Sequence, residues 1–443
     1  MENKSKGKAV ERIYALLDER SFVEIGQAVT ARSTDFQLDK VETPSDGVVT
    51  GYGLINGCPV YVYSQDAQVL GGSIGEMHAR KIVNLYDLAI KTGVPVIGMI
   101  DCAGIRLQES TDALHAFGMI YKKQAEASGV ILQISAIFGN CGGGLSVFTT
   151  LTDFTLMEEK GQLFVNAPNA IEGNRKEVLN SASAVFQSKE AGTVDFVGNE
   201  TEVFEEIRKL TQIFPSNYKD QSKVIDCVDD LNRLCENISA GNGKEILIQI
   251  ADQNEFVELK KDYGNDMAIG FIRLNGETIG CIANKEERIS AQGAKKAASF
   301  VKLCDAFGIG ILTVTDTVGF VAEIEQEKEL SQAIGAMTGA FVQATVPKVN
   351  VISKKAFGSA YVSMNSKSIG ADFVYAWSDA KIGMMEADMA VKIMYPGANA
   401  DVLKEKAKEY EELQSDVYTA ARRGYVDTVI DPAETRKYVI GAF

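Results

Sequence analysis

The sequence predicts an α/β protein in which one unit is used twice in tandem. Three observations predict it. The chain has 443 residues, about two or three times an ordinary domain. An ordered series of segments in the first half returns in the second. Each copy mixes hairpin, helical and buried-strand patterns.

The repeat opens with RIYALLDERSFVEIG, from Arg12, matched by EILIQIADQNEFVEL, from Glu245, with Asp18 against Asp252 and Phe22 against Phe256. VVTGYGLINGCPVYVYSQD then matches MAIGFIRLNGETIGCIANK. Both place Asn-Gly between alternating apolar residues, which predicts a hairpin with a two-residue turn. Helical patterns follow in ARKIVNLYDLAIKTG and AKKAASFVKLCDAFG, and a glycine ends each. Buried-strand runs come next: VPVIGMIDCAGI reaches Asp101 and Gly104, and IGILTVTDTVGF reaches Asp316 and Gly319, so 316−101 and 319−104 both give 215. That offset carries Gly143 and Gly144 of FGNCGGGLSV onto Gly358 and Ser359 of KKAFGSAYVS. TDFTLM and ADFVYA close the pair.

Separations of 252−18 = 234, 275−56 = 219 and then 215 are those of a duplicated domain with small insertions. Polar and glycine residues in CENISAGNGK interrupt the patterns. Domains of residues 1–235 and 236–443 are therefore expected. Each unit reads hairpin, helix, strand, loop, strand, glycine turn, helix.

Composition excludes several functions. Hydrophobic residues make up 46% and charged residues 24%, as in ordinary globular proteins. Against 45 Lys plus Arg stand 60 Asp plus Glu, and the net charge of −15 repels phosphate backbones, so nucleic acid is not an expected partner. The start, MENKSKGKAVER, is charged, and no apolar run approaches the roughly 18 residues of a membrane span. A cytoplasmic location is expected. Seven cysteines form no CxxC pair and only two histidines accompany them, so neither a metal site nor a disulfide framework is expected. No Lys-Ser/Thr follows the glycine turn, and GYGLING lies inside a hairpin, which argues against nucleotide triphosphates.

A strand, a glycine turn and a helix start together present backbone N–H groups that lack helical partners. Two such donors aimed at one point form an oxyanion hole. Two copies suggest two anionic centres, although glycine turns at such junctions also serve steric needs alone. His78 and His115 read as packing or capping residues, EIEQEKEL (323–330) as a solvated helix face, and Asp101 as an orienter of the loop after it.

The wider wording carries a resemblance. SQDAQVLGGSIGEMHARKI, IDCAGIRLQES, QISAIFGNCGGG and LTDFTLM in the first unit, with CDAFGIGILTVTDTVGF, ATVPKVNVISKKAFGSAY and GADFVYAW in the second, closely resemble carboxyltransferase subunits of biotin-dependent acyl-CoA carboxylases and decarboxylases. The likeness is to the propionyl-CoA carboxylase beta and methylmalonyl-CoA decarboxylase alpha types. It implies tandem crotonase-like spiral β-β-α domains, assembled as a hexamer that is a dimer of trimers. The first domain would take acyl-CoA, and the second domain of a partner subunit would take biotin.

By position, Gly143 and Gly144 match the family's acyl-CoA oxyanion pair, and Ser359 with Ala360 matches the biotin pair. Ser64, Gln65, Gly71, Gly72, Ser73, Gly104, Arg106 and Gly142 resemble positions lining the CoA channel. Phe357 and Gly358 belong to the second turn, and Val362 falls where the family helps set acyl-chain preference. No Met-Lys-Met segment is present, so the resemblance implies biotin on a separate carrier protein. It implies coenzyme A as part of the substrate and, as partner, a biotin carboxylase or a membrane decarboxylase subunit. The acyl chain and the direction of transfer stay open.

The second half departs from the family's pattern. The segment after Asn284 is shorter, Val318 replaces a proline, and Glu386 and Met389 stand where glycines are usual. Two other readings remain: a CoA-binding subunit without transfer, and a biotin-independent crotonase-type hydratase or isomerase. The latter needs two carboxylates over the acyl chain, of which Glu109 supplies one candidate.

Overall fold

Alternation and helical spacing are realised twice, with the same strand order each time. The computed structural model describes residues 7–220 and 224–443. The chain divides into two compact units at Gln221/Ser222.

The first unit runs α1 (Lys8–Leu16), β1 (Val23–Ile25), β2 (Val48–Ile55), β3 (Cys58–Gln65), α2 (Glu76–Thr92), β4 (Val96–Cys102), α3 (Ser110–Ala127) and β5 (Gln133–Gly142). It continues with α4 (Ser146–Thr150), β6 (Phe154–Glu158), β7 (Gln162–Phe164), α5 (Ala184–Lys189), β8 (Phe196–Gly198) and α6 (Glu200–Ile213). Its sheet has the order β1-β2-β3-β4-β5-β6-β8. The β1–β2 and β2–β3 pairs are antiparallel and those from β3 onward are parallel. Strand β5 forks: Ile134–Ile137 pair with β6, whereas Asn140–Gly142 pair with β7. Helix α2 buries Ala79, Ile82, Tyr86 and Ala89, a three- and four-residue spacing, over Ile100 and Ile137 of the sheet. Gly93, at φ 70°, ends that helix.

The second unit repeats the plan. It contains α7 (Gly243–Ile250), β9 (Val257–Leu259), β10 (Met267–Leu274), β11 (Glu277–Asn284), β12 (Arg288–Ile289), α8 (Ala291–Ala306), β13 (Ile311–Thr317), β14 (Gly319–Phe320), α9 (Ile324–Gln343) and β15 (Lys348–Phe357). After these come α10 (Gly358–Ser363), β16 (Phe373–Trp377), β17 (Lys381–Gly383), α11 (Ala387–Met394), α12 (Ala400–Tyr410), α13 (Val417–Arg422), β18 (Thr428–Ile430) and α14 (Thr435–Ile440). The sheet order is β9-β10-β11-β13-β15-β16-β18, with β17 on β15. The run EIEQEKEL enters α9, where only Leu330 of the eight is buried.

Both Asn-Gly turns have the expected geometry. Asn56 and Gly57 sit at φ 48° and 78°, Asn275 and Gly276 at 52° and 78°, which is the type I′ pattern. The aspartates aligned in the sequence hold them. Asp18 accepts from the N–H groups of Asn56 and Gly57 at 2.9 and 2.8 Å, and Asp252 accepts from Asn275 and Gly276 at 3.2 and 2.7 Å. The Gly57 N–H is the main cause that lowers the Asp18 pKa. Asp252 also pairs with the buried Arg436 at 2.6 Å. Asp18→Ala is therefore expected to cost about 1–2 kcal/mol and Asp252→Ala about 3 kcal/mol, because the buried guanidinium loses its near carboxylate and keeps only Asp229, 3.8 Å away. Urea midpoints of the two variants check that order.

The division between units falls ahead of the expected 235/236. Ile225 N–H donates to Gly276 O at 3.2 Å and Cys235 N–H to Ala433 O at 2.9 Å. The Arg233 guanidinium donates to the carbonyls of Gln249 and Ala251, each at 3.0 Å. The segment 224–235 thus packs on the second sheet. The polar run taken for a linker supplies helix caps instead: Asn242 and Glu245 form a capping box on α7.

Candidate active site

The glycine stretch that closes β5 has its copy at the end of β15. Gly143 and Gly358 both stand at φ 63°, the left-handed region, each directly after an extended residue, Gly142 or Phe357. A β-carbon at Gly358 would lie 3.2 Å from Met384 O, while at Gly143 the space is open. Gly142 answers a different need, since a β-carbon there would meet the Phe164 ring at 2.5 Å. In the first unit a single 3₁₀ turn, Gly143–Leu145, leads into α4; in the second, α10 starts at once. The leading N–H groups of such turns have no acceptor within their own helix.

The first turn's carbonyls are held from behind. Ser146 Oγ donates to Gly143 O at 2.7 Å, and the Tyr121 hydroxyl donates to Gly144 O. Gly144 and Ser359 are exposed and Ala360 is buried. Val362, on α10, is 38% exposed. The geometry can offer paired backbone donors to an oxyanion, once in each unit.

The residues expected along a CoA channel come together, but not as expected. Gly71, Gly72 and Ser73 form one loop and Gly104 with Arg106 another, joined by Ala103 N–H to Gly71 O at 2.9 Å, Ile74 N–H to Gly104 O at 2.8 Å and Arg106 N–H to Ile74 O at 2.9 Å. The polar side chains turn inward. Arg106 and Gln65 are each 1% exposed, Ser64 is 0% exposed, and Ser73 is buried. Arg106 Nη1 bonds Asp46 at 2.6 Å and Glu109 at 2.7 Å, and its Nη2 donates to Ser73 O at 2.8 Å. These side chains brace the loops from inside, because a buried guanidinium requires carboxylates beside it. Glu109 also accepts from Glu76 N–H at 2.6 Å at the start of α2, so it is committed to structure and not poised as a base over an acyl chain.

His78 is part of the same network. Gln65 Oε1 accepts from Asp101 N–H at 3.3 Å, which leaves the Gln65 amide nitrogen facing His78 Nε2 at 3.2 Å. An amide nitrogen only donates, so Nε2 accepts and the proton sits on Nδ1, 2.9 Å from Asp46 O. Burial, and then Arg106, push the His78 pKa down to about 3. This pKa lies below the unfolded one of 6.5, so between them the unfolded chain binds the extra proton. Stability is complete above pH 6.5 and falls as pH drops towards 3. From pH 6.5 to 5 the loss from this group is expected to approach 2 kcal/mol, about 1.4 per pH unit. His78→Asn is expected to flatten that limb of a denaturation-versus-pH series.

His115 is exposed on α3. Asp101 pairs with Arg12 at 3.3 Å and closes on Gly139, where a β-carbon would lie 1.9 Å from its Oδ1. It orders the strand ends. Sequence reasoning passed over Asp46, which joins Arg106 to His78, and Lys81 with Lys296, although 296−81 repeats the 215 offset. Lys81 Nζ donates to Val48 O at 2.5 Å, and Lys296 Nζ to Tyr263 O at 2.5 Å. Burial pushes both ammonium pKa values down to about 8.

Two units, each with a sheet that turns parallel from its third strand and a left-handed glycine after the same strand, make a tandem α/β protein with the crotonase-like fold of the acyl-CoA carboxyltransferase class. The transcarboxylase 12S structure, described as a hexamer with methylmalonyl-coenzyme A and methylmalonic acid bound, superposes with a TM-score of 0.93 at 33% identity, over 98% of this chain and 88% of that one. Residues 2–443 match the carboxyl transferase domain, and the chain belongs to that family. The propionyl-CoA carboxylase beta chain of Roseobacter denitrificans is 38% identical, covering 99% of this chain and 90% of the relative. The methylmalonyl-CoA decarboxylase subunit alpha of Propionigenium modestum is 37% identical over the same shares. Among the described residues no helix is long and apolar enough to cross a membrane.

Proposed function

We propose that the chain moves a carboxyl group between biotin on a separate carrier protein and a short-chain acyl-CoA, as a cytoplasmic subunit of a hexameric complex with a biotin carboxylase or a membrane decarboxylase subunit. The observation that carries this reading is the pair of left-handed glycines at the ends of β5 and β15. Transfer places negative charge on the thioester oxygen of one reactant and on the ureido oxygen of the other, so it calls for two sets of fixed donors. Gly143 and Gly144 would serve the thioester and Ser359 and Ala360 the ureido group. Biotin supplies the carried carboxyl group; this chain supplies N–H groups, and a backbone N–H survives the glycine-to-serine difference at 359. The exposure of Ser359 fits a ligand arriving on another protein.

A second reading, a CoA-binding subunit without transfer, draws on Lys355, which pairs with Glu386 at 3.4 Å two residues before the second turn's Phe357. One experiment separates them. The purified chain is mixed with a biotinylated carrier and malonyl-CoA or methylmalonyl-CoA, and loss of the acyl carboxylate is followed. Carrier-dependent loss is the expected result. Acyl-CoA binding without loss would leave the second reading standing.

A further inference from the structure

The glycines that give the first turn its shape also leave it loose. Gly142, Gly143 and Gly144 are consecutive, and glycine is the residue whose backbone is least confined by its own side chain. An oxyanion hole needs donors that hold a fixed aim before the charge develops. Groups outside the turn must supply that stiffness.

Two hydroxyls are placed to do so. In a trans peptide the N–H points opposite to the C=O of the same plane, so whatever holds the carbonyl also aims the N–H. Gly143 O shares its plane with the Gly144 N–H. It accepts the N–H of Ser146 and also, at 2.7 Å, its Oγ, from a buried side chain. Gly144 O, in the next plane, accepts from the Tyr121 hydroxyl, which reaches across from α3. The peptide planes on both sides of Gly144 are thus tied.

The Tyr121 ring is itself anchored. It meets Phe117 and Phe148 edge-on with centroids 5.0 and 5.5 Å apart, and those two rings stack at 5.0 Å. A β-carbon at Gly144 would lie 3.0 Å from the Tyr121 hydroxyl oxygen and 3.2 Å from the Phe117 ring, so the glycine lets α3 come close.

The second turn is built otherwise. The offset of 215, as 336−121 and 361−146, sets Ala336 against Tyr121 and Tyr361 against Ser146, and Ser359 stands where Gly144 does. A residue with a β-carbon has fewer backbone conformations open to it, and there a methyl replaces the bracing phenol. The braces accompany the looser backbone.

We propose that Ser146 and Tyr121 are positioning residues for carboxyl transfer: their hydroxyls hold the Gly143 and Gly144 carbonyls so that the Gly144 N–H stays aimed at the thioester oxygen. This rests on the transfer reading above and adds two side chains to a hole otherwise made of backbone. Neither side chain touches the reacting atoms.

Three single variants of the full chain test it. Tyr121→Phe keeps the ring packing and removes one hydroxyl, Ser146→Ala removes the other, and Ser146→Thr puts a hydroxyl back. Transfer from malonyl-CoA or methylmalonyl-CoA to a biotinylated carrier is followed for each, with the KM for acyl-CoA and the thermal midpoint measured on the same preparations. In Tyr121→Phe and in Ser146→Ala kcat is expected to fall about tenfold, because a loosely aimed donor forfeits part of the two to three powers of ten that its removal costs. KM and the thermal midpoint are expected to match the parent, and Ser146→Thr to recover most of kcat. The proposal is overturned if either variant keeps the parental kcat, if the loss appears in KM alone, or if kcat falls together with the thermal midpoint and Ser146→Thr restores neither. A parent chain without carrier-dependent transfer would overturn the transfer reading itself, and this role with it.

Discussion

Gly143→Val is expected to lower kcat for carboxyl transfer by about two to three powers of ten, the loss typical of one misaimed donor in an oxyanion hole. The cause is conformational. No atom lies within 4 Å of a β-carbon added at Gly143, so there is no clash; the residue stands at φ 63°, where a β-branched side chain is strained. The backbone relieves that strain by turning the peptide planes that carry the Gly143 and Gly144 N–H groups. Steady-state transfer rates, with acyl-CoA affinity and thermal midpoint measured on the same preparation, distinguish this from unfolding. A variant that turns over at the parental rate would remove the first turn from the chemistry.

Arg106→Met is expected to destabilise the first unit by about 3–5 kcal/mol, read as a large shift of the urea midpoint. The Arg106 and Asp46 side chains are 0% exposed and that of Glu109 3%. Removing the guanidinium leaves two buried carboxylates facing each other. Burial already pushes the Asp46 carboxyl pKa up, with Arg106 as the main opposing influence, so in the variant it is pushed further in that direction. Adding Asp46→Asn to Arg106→Met is expected to return part of the loss, because it withdraws one of the orphaned charges. An unshifted midpoint would show that the network contributes nothing to stability.

The duplicated plan was legible in the sequence wherever local chemistry fixes local structure. Asn-Gly dictates its turn, the aligned aspartates hold it, and the three- and four-residue spacing dictates α2 and α8. The two glycine turns were legible for the same reason, since φ 63° favours glycine. The direction of the polar side chains was not. Arg106 reads as a ligand residue until Asp46, sixty positions earlier, is known to lie beside it. Such a pairing across distant loops leaves no periodicity to read. The boundary was misplaced because cap residues and linker residues have the same composition.

The forking of β5 and β15 bears on how the two halves of this protein came to differ. In each, the inner part of the strand is locked into the main sheet, while the tip keeps one pairing to the preceding strand, Cys141 to Cys102 or Ala356 to Thr317, and takes a three-residue side strand on its other edge. Copying errors just beyond the tip, in the turn that follows it, therefore leave the pairings of the main sheet untouched, and selection can try new residues there at smaller structural risk than within the strand. The comparison of tips shows the result: Gly144 and Leu145 in one half, Ser359 and Ala360 in the other, beyond strands of the same length and order. A gene copy built this way inherits a working scaffold and a replaceable end, which is the condition under which one ancestral site can become two with different tasks.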